Sequence, residues 1–179
     1  MDTPQYTKPI ELKDLIIREV VKDDLPALEW GGEFTKYRRM YASIYRDSLS
    51  DKNMMWVVTL PNSEIIGQAF VMFKSADWAA ADGESRAYIF AFRIKPHWRN
   101  RGVGSYLMAF IEEDLLKRGY KSATLNVAKD NPDALRLYKH LGYKITGSRS
   151  GNWSYRDHEG NLQQVNEPSW RMMKKLSNG

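Results

Sequence analysis

The chain has 179 residues, 42% of them apolar and 27% charged, with a formal net charge of +5 and no cysteine. That length holds one domain with a real core and is cramped for two, and the composition is globular rather than disordered. The lack of cysteine excludes disulfides, thiolate nucleophiles and cysteine-ligated metals, while the positive balance points to anionic partners.

The first dozen residues, beginning MDTPQYTKPIEL, read as loosely ordered and lack the basic-then-apolar layout of a signal peptide. No stretch approaches the roughly 20 consecutive apolar residues that a membrane span requires, so the chain is expected in the cytoplasm, with no membrane partner. Lys and Arg are scattered along the sequence, which argues against a dedicated nucleic-acid surface.

Ile16 to Val21 reads as a short strand, and Lys22-Asp23-Asp24 as a helix start. From Trp30 to Arg46, the aromatics Trp30, Phe34, Tyr37, Tyr41 and Tyr45 recur every three or four residues, predicting one helical stripe whose start Gly31-Gly32 interrupts. Met54 to Leu60 and Ile65 to Phe73 flank the turn residues Pro61-Asn62-Ser63-Glu64, which predicts a hairpin. After a loop from Lys74 to Ser85, Tyr88 to Ile94 is nearly all apolar, as in a central strand covered on both faces.

Gly102 to Arg118 follows as a helix, with Val103, Leu107, Phe110, Ile111 and Leu115 inward and Gly119 as its stop. Ala123 to Val127 is another strand. Asn131-Pro132-Asp133 then opens a helix with a cap, a first-turn proline and an acid, and that helix ends at Leu141-Gly142. Two final strands, from Lys144 onward and from Ser169 to Leu176, are separated by a polar excursion, Gly151 to Pro168. Strands and helices therefore intermix in an α/β (α+β) fold, with one β-α-β unit in a largely antiparallel setting.

Arg99-Asn100-Arg101-Gly102-Val103-Gly104 lies at the junction of that strand and helix. A helix N-terminus leaves about four N–H groups unpaired and carries roughly half a positive charge. Glycines at 102 and 104 allow close approach to the backbone, and Arg99 and Arg101 add charge-assisted donors, so the segment suits a phosphate group. A dinucleotide fingerprint is excluded because Leu107 occupies its third glycine position, and no G-K-[ST] of a P-loop is present.

Arg99-x-x-Gly102-x-Gly104 and, downstream, Asn131-x-x-Ala134-x-x-Leu137-Tyr138-x-x-x-Gly142-Tyr143 together resemble the GNAT superfamily of N-acetyltransferases. The likeness is sharp from Tyr88 to Tyr143, and the closing Trp170 to Leu176 is similar to that family's last strand. It implies a single domain over 1–179 with a central mixed, mostly antiparallel sheet of six to seven strands flanked by helices. It also implies acetyl-CoA as co-substrate. Backbone amides from Arg101 to Ser105 would then cradle the diphosphate, the arm would enter a splay between the strands at Tyr88–Ile94 and Ala123–Val127, and backbone groups of Phe92 and Ile94 would pair with it. Asn131 corresponds to a cofactor-binding asparagine, and its local sequence equally makes it an N-cap. Arg136 is either a contact to the adenosine 3'-phosphate or a solvated side chain.

Acetyl transfer to an amine needs a neutral amine, a polarised carbonyl and a proton for the departing thiolate. Tyr138 is the candidate acid, since a phenol with a pKa near 10 stays protonated at neutral pH. Many members of the family carry a glutamate within the strand matching Tyr88 to Ile94, and this chain has none there. Glu84, Glu33, Glu64 or a water chain, with Tyr88 to orient it, are the substitutes. The missing carboxylate also leaves open a non-catalytic acyl-CoA-binding or regulatory module.

The aromatic stripe suits either an ammonium-bearing acceptor or core packing. The excursion containing Trp153, Tyr155 and Asp157-His158-Glu159 reads as a lid or a homodimer contact. The three histidines lack the spacing of a metal site, so no metal is expected.

Overall fold

A computed structural model describes residues 9–178. Of the first dozen residues, 1–8 lie outside the described part, whereas Ile10 packs on the core and Leu12–Asp14 form a 3-10 turn.

Nine strands and three α-helices follow in order: β1 (Ile16–Glu19), α1 (Arg38–Ser48), β2 (Asn53–Thr59), β3 (Ile65–Met72), β4 (Arg86–Ile94), α2 (Val103–Lys117), β5 (Ser122–Ala128), α3 (Pro132–His140), β6 (Lys144–Arg149), β7 (Asn152–Arg156), β8 (Leu162–Asn166) and β9 (Ser169–Lys175). Seven strands form one sheet in the order β1-β2-β3-β4-β5-β9-β6, and β7 and β8 pair separately as a hairpin. Within the large sheet only β4 and β5 are parallel, joined across α2.

Alternation along the strands gives the sheet two buried faces. One is covered by α2 and α3, with Ile66, Val58, Ile89, Leu107, Met108, Ile111 and Met172 at its centre. On the other, Leu28 and Tyr41 pack on Met55, Val57 and Phe70. All seven residues of β2 are buried, as expected for a strand covered on both sides.

The aromatic stripe is not one helix. Trp30, Gly31 and Gly32 take positive φ, which closes a run of 3-10 turns over Lys22–Gly32, and α1 begins only at Arg38. An α-helix does not propagate through left-handed residues. The aromatics nevertheless meet, with ring centroids 5.1 Å apart for Trp30 and Phe34, 6.0 Å for Phe34 and Tyr37, and 5.9 Å for Tyr37 and Tyr41.

A bulge in β4 positions the site. Gln68 faces Arg93 while Phe70 faces Phe90, so β4 carries one extra residue there. Ala91 absorbs it with φ +50, an uncommon conformation for a residue with a Cβ. Gln68, fully buried, donates from Nε2 to the Ala91 carbonyl at 3.3 Å. Bulging bends a strand, and β4 leaves β5 at this place.

Candidate active site

Pairing between β4 and β5 runs from Arg86–Ser122 to Ile89–Leu125 and stops. Beyond it β4 continues along β3, and β5 continues along β9. The diverging strands open a cavity of about 1170 Å³, whose lining includes Phe92, Ile94, Gly104, Asn126, Asn131 and Tyr138. Backbone groups of β4 past Ile89 thus lose β5 as a partner, and buried backbone groups require one. An extended chain bearing its own amides fits such a gap.

The mouth of α2 lies along the same cavity, where Arg99, Asn100, Gly102, Gly104 and Ser105 contribute to the lining. Asn100 and Gly102 have φ +59 and +81, and no side chain caps the helix. Its first N–H groups therefore remain free for an anion. In α3, by contrast, the Asn131 side chain accepts a hydrogen bond from the Ala134 N–H at 3.2 Å, so Asn131 is both an N-cap and part of the lining.

The predicted loop residues divide by role. Arg99 donates from Nε to the Ile94 carbonyl at 2.8 Å, which anchors the guanidinium while leaving its two Nη groups free. The same bond occupies one lone pair of the Ile94 carbonyl. Arg101 lies over the Trp98 ring at 5.4 Å and Val103 is buried in the core, and the cavity lining includes neither of them. The bare Cα of Gly104 serves packing as well as ligand approach: a Cβ there would stand 3.3 Å from Cζ of Phe92. Arg136 also lines the cavity and pairs with Asp133 at 3.3 Å, both well exposed.

Tyr138, 7% exposed, is held between Phe92 and Tyr143, with ring centroids 6.0 and 6.1 Å away. Burial, and secondarily the neighbouring Tyr88, push its pKa well above the usual phenol value, so Tyr138 is a neutral donor at any ordinary pH. Burial likewise raises Tyr41, Tyr88 and Tyr143. In the unfolded chain these phenols ionise near 10, so their contribution to stability is intact below that pH and is lost as pH rises beyond it. The melting temperature is expected to fall steeply above about pH 10, with the part of the tyrosinate absorbance that belongs to these four of the ten tyrosines appearing together with unfolding. Tyrosinate absorbance that reached its full amplitude in the folded protein near pH 10 would contradict this.

None of the three glutamates considered for the base lines the cavity. Glu84 sits in a turn organised by Asp82 before β4, Glu64 precedes β3 in the β2–β3 turn, and Glu33 follows Gly32. The acids in the lining are Asp133 and Glu167. Glu167, in the link between β8 and β9, carried no motif signal; only the chain's return brings it to the cleft.

The aromatic residues also differ from expectation. The slot suggested for an ammonium ligand holds the chain's own Arg93, whose guanidinium lies over the Phe34 ring at 4.3 Å. The β7–β8 hairpin seats on the same cluster, with Tyr155 5.0 Å and Trp153 6.4 Å from Tyr37 between ring centroids. Asp157 organises the hairpin turn, accepting from the Glu159 and Asn161 N–H groups and from Gln163. Among the described residues no cluster of three or more His, Asp or Glu is placed to hold a metal, and no helix is long and apolar enough to cross a membrane.

A mixed seven-stranded sheet split between its two parallel strands, with an uncapped helix mouth at the split, defines an acyltransferase-like α/β class. The profile of the Acetyltransferase (GNAT) family matches residues 17–143, and the chain belongs to that family. It is 32% identical over 91 residues to a mycothiol acetyltransferase of Brachybacterium faecium, an alignment covering 51% of this chain and 26% of that protein. The aligned part is thus about a quarter of that relative's length.

Similar solved folds include the ribosomal-protein-S18-alanine N-acetyltransferase from Escherichia coli, with TM-score 0.66 and 20% identity over 92% of this chain and 96% of that one. A spermidine N-acetyltransferase from Vibrio cholerae in complex with CoA and spermine also matches, with TM-score 0.66 and 17% identity over 92% and 96% of the two chains.

Proposed function

We propose that the chain moves the acetyl group of acetyl-CoA to a primary amine by direct attack of the amine on the thioester. The observation that carries this reading is the single cavity formed where β4 and β5 part, which joins the uncapped mouth of α2 to the Tyr138 phenol. Acetyl-CoA supplies the activated acyl carbon and a thiolate leaving group.

The chain's own groups do the rest. Backbone N–H groups from Arg101 to Ser105 bind the diphosphate, helped by the free Nη groups of Arg99. Backbone groups of Phe92 and Ile94 align the arm along β4, and Asn131 contributes from the mouth of α3. Tyr138 gives its proton to the departing sulfur. The setting is cytoplasmic.

Glu167 is the proton acceptor for the amine, through solvent, since it is the lining acid outside the Asp133–Arg136 pair. It gives the cleft a carboxylate that β4 itself lacks. Glu167→Gln is expected to lower kcat about tenfold below the amine's pKa, less than the roughly 10²–10⁴-fold of a base in direct contact because it acts through solvent, and an unchanged kcat would assign the proton to solvent alone. An amine panel with acetyl-CoA, read by thiol release and product mass, tests the whole reading. Acetylation of at least one amine is expected. Binding of acetyl-CoA with no amine-dependent thiol release would overturn it.

A further inference from the structure

Arg93 stands on β4 just past the bulge, two backbone positions beyond Ala91, and lines the cavity. By strand alternation its side chain leaves the sheet on the face opposite Phe92 and Ile94, away from the mouth of α2. There the guanidinium is fixed on two sides. Its Cζ lies 4.3 Å from the Phe34 centroid and 5.5 Å from that of Tyr37, and Nη1 donates to the Tyr41 hydroxyl at 2.8 Å. Tyr41 is buried and further held by Gln68 Nε2 at 3.5 Å.

What Arg93 lacks is an anion. Among the described residues, Arg18, Arg38, Arg118, Arg136, Arg149 and Arg171 each pair with a carboxylate, whereas Arg93, like Arg99 at the other side of the same cavity, pairs with none. One of five guanidinium donors is used, and the rest belong to a cation held in place beside the cleft. The opposite rim also presents donors. Arg171, tied to Asp77 at 3.0 Å, donates from Nε to Asn126 Oδ1 at 2.6 Å. Since Arg has no acceptor to offer, Asn126 must turn its oxygen toward it and leave its NH₂ for the cavity that it lines.

We propose that Arg93 selects an acceptor amine that also bears a carboxylate, which forms a charge-assisted pair with the guanidinium in the slot between Phe34 and Tyr41. This rests on the acyl-transfer reading and names its substrate class. A planar fork matches a carboxylate with two parallel bonds, and the same fixed cation repels a polyamine. The carboxylate comes from a free amino acid or from an acidic residue of a short peptide.

The test compares matched pairs in the thiol-release assay on the full chain: amino acids against their amides, short Glu-containing peptides against their Gln counterparts, and spermidine alone. Rates are expressed per unprotonated amine. Each acid is expected to exceed its neutral partner at least about tenfold in kcat/KM, equivalent to about 1.4 kcal/mol, with spermidine poorest. The pair series with the larger ratio identifies the source of the carboxylate.

Arg93→Met is expected to collapse the acid-to-neutral ratio toward one, mainly through the KM of the acids. Arg93→Lys keeps the charge without the fork, recovers part of the ratio, and serves where the methionine variant fails to fold. Equal or faster turnover of the neutral partners or spermidine in the unaltered protein, or a ratio that survives both substitutions, overturns the role of Arg93 alone. Absence of acetylation throughout the panel overturns the acyl-transfer reading and this proposal together.

Discussion

Gly104→Glu is expected to raise the dissociation constant for acetyl-CoA at least about 100-fold, a loss of about 2.7 kcal/mol, without unfolding the chain. Two effects add. The new carboxylate lies at the first turn of α2, beside N–H groups that no side chain caps, and repels a diphosphate from the seat that would otherwise favour it. Its Cβ also presses on Phe92, 3.3 Å from Cζ and 3.8 Å from Cγ1 of Ile94. Phe92 in turn packs on Tyr138, so the disturbance reaches that phenol. Gly104→Ala separates the two, because it keeps the steric pressure and omits the charge, and a smaller loss of about tenfold is expected for this mild overpacking. Calorimetric titration with acetyl-CoA, beside a thermal melt, measures both variants. Unchanged affinity in the glutamate variant would remove the phosphate seat from α2.

Tyr138→Phe is expected to lower kcat by about 10²-fold or more, within the usual range for a positioned acid, while acetyl-CoA affinity stays within about twofold. The asymmetry follows from the packing. Phenylalanine retains the ring contacts with Phe92 and Tyr143 and loses only the proton donor. Because burial raises the Tyr138 pKa above the usual phenol value, its ionisation cannot produce a falling limb below about pH 10. The rate of the unaltered protein should rise with pH as the amine loses its proton and then level off. A stopped assay from pH 6 to 9.5, with initial rates at saturating acetyl-CoA, checks this at roughly half-unit steps. Undiminished kcat in the variant would leave Tyr138 a packing residue.

Local chemistry accounts for what could be read early. Asn131-Pro132-Asp133 caps α3, the apolar stripe of α2 faces the core, and Pro61-Asn62-Ser63-Glu64 turns β2 into β3. Each signal acts within a few residues, so chain order was enough. The loop at Arg99–Gly104 belongs to this group, because an uncapped helix mouth beside two glycines is a local property.

Other features depended on partners far along the chain. Nothing in Phe90-Ala91-Phe92 marks a bulge; the positive φ of Ala91 comes from its register with β3 and from Gln68, 23 residues away. The aromatic spacing from Trp30 to Tyr45 indicated one helix, yet backbone reversal at residues 30–32 made a bent cluster whose slot a strand arginine fills. Glu167 and Arg93 were single charges without periodicity or motif.

The sequence by itself therefore determined most of the elements, the uncapped helix mouth beside two glycines and the position of Tyr138 on α3, since each is set by short-range sterics, capping and hydrophobic period. The bulge that splits the sheet, the stacked Arg93 beside it and the acid at its rim were decided by tertiary structure. They arise from strand register and loop return, which bring together side chains as far apart in the chain as Phe34, Arg93 and Glu167.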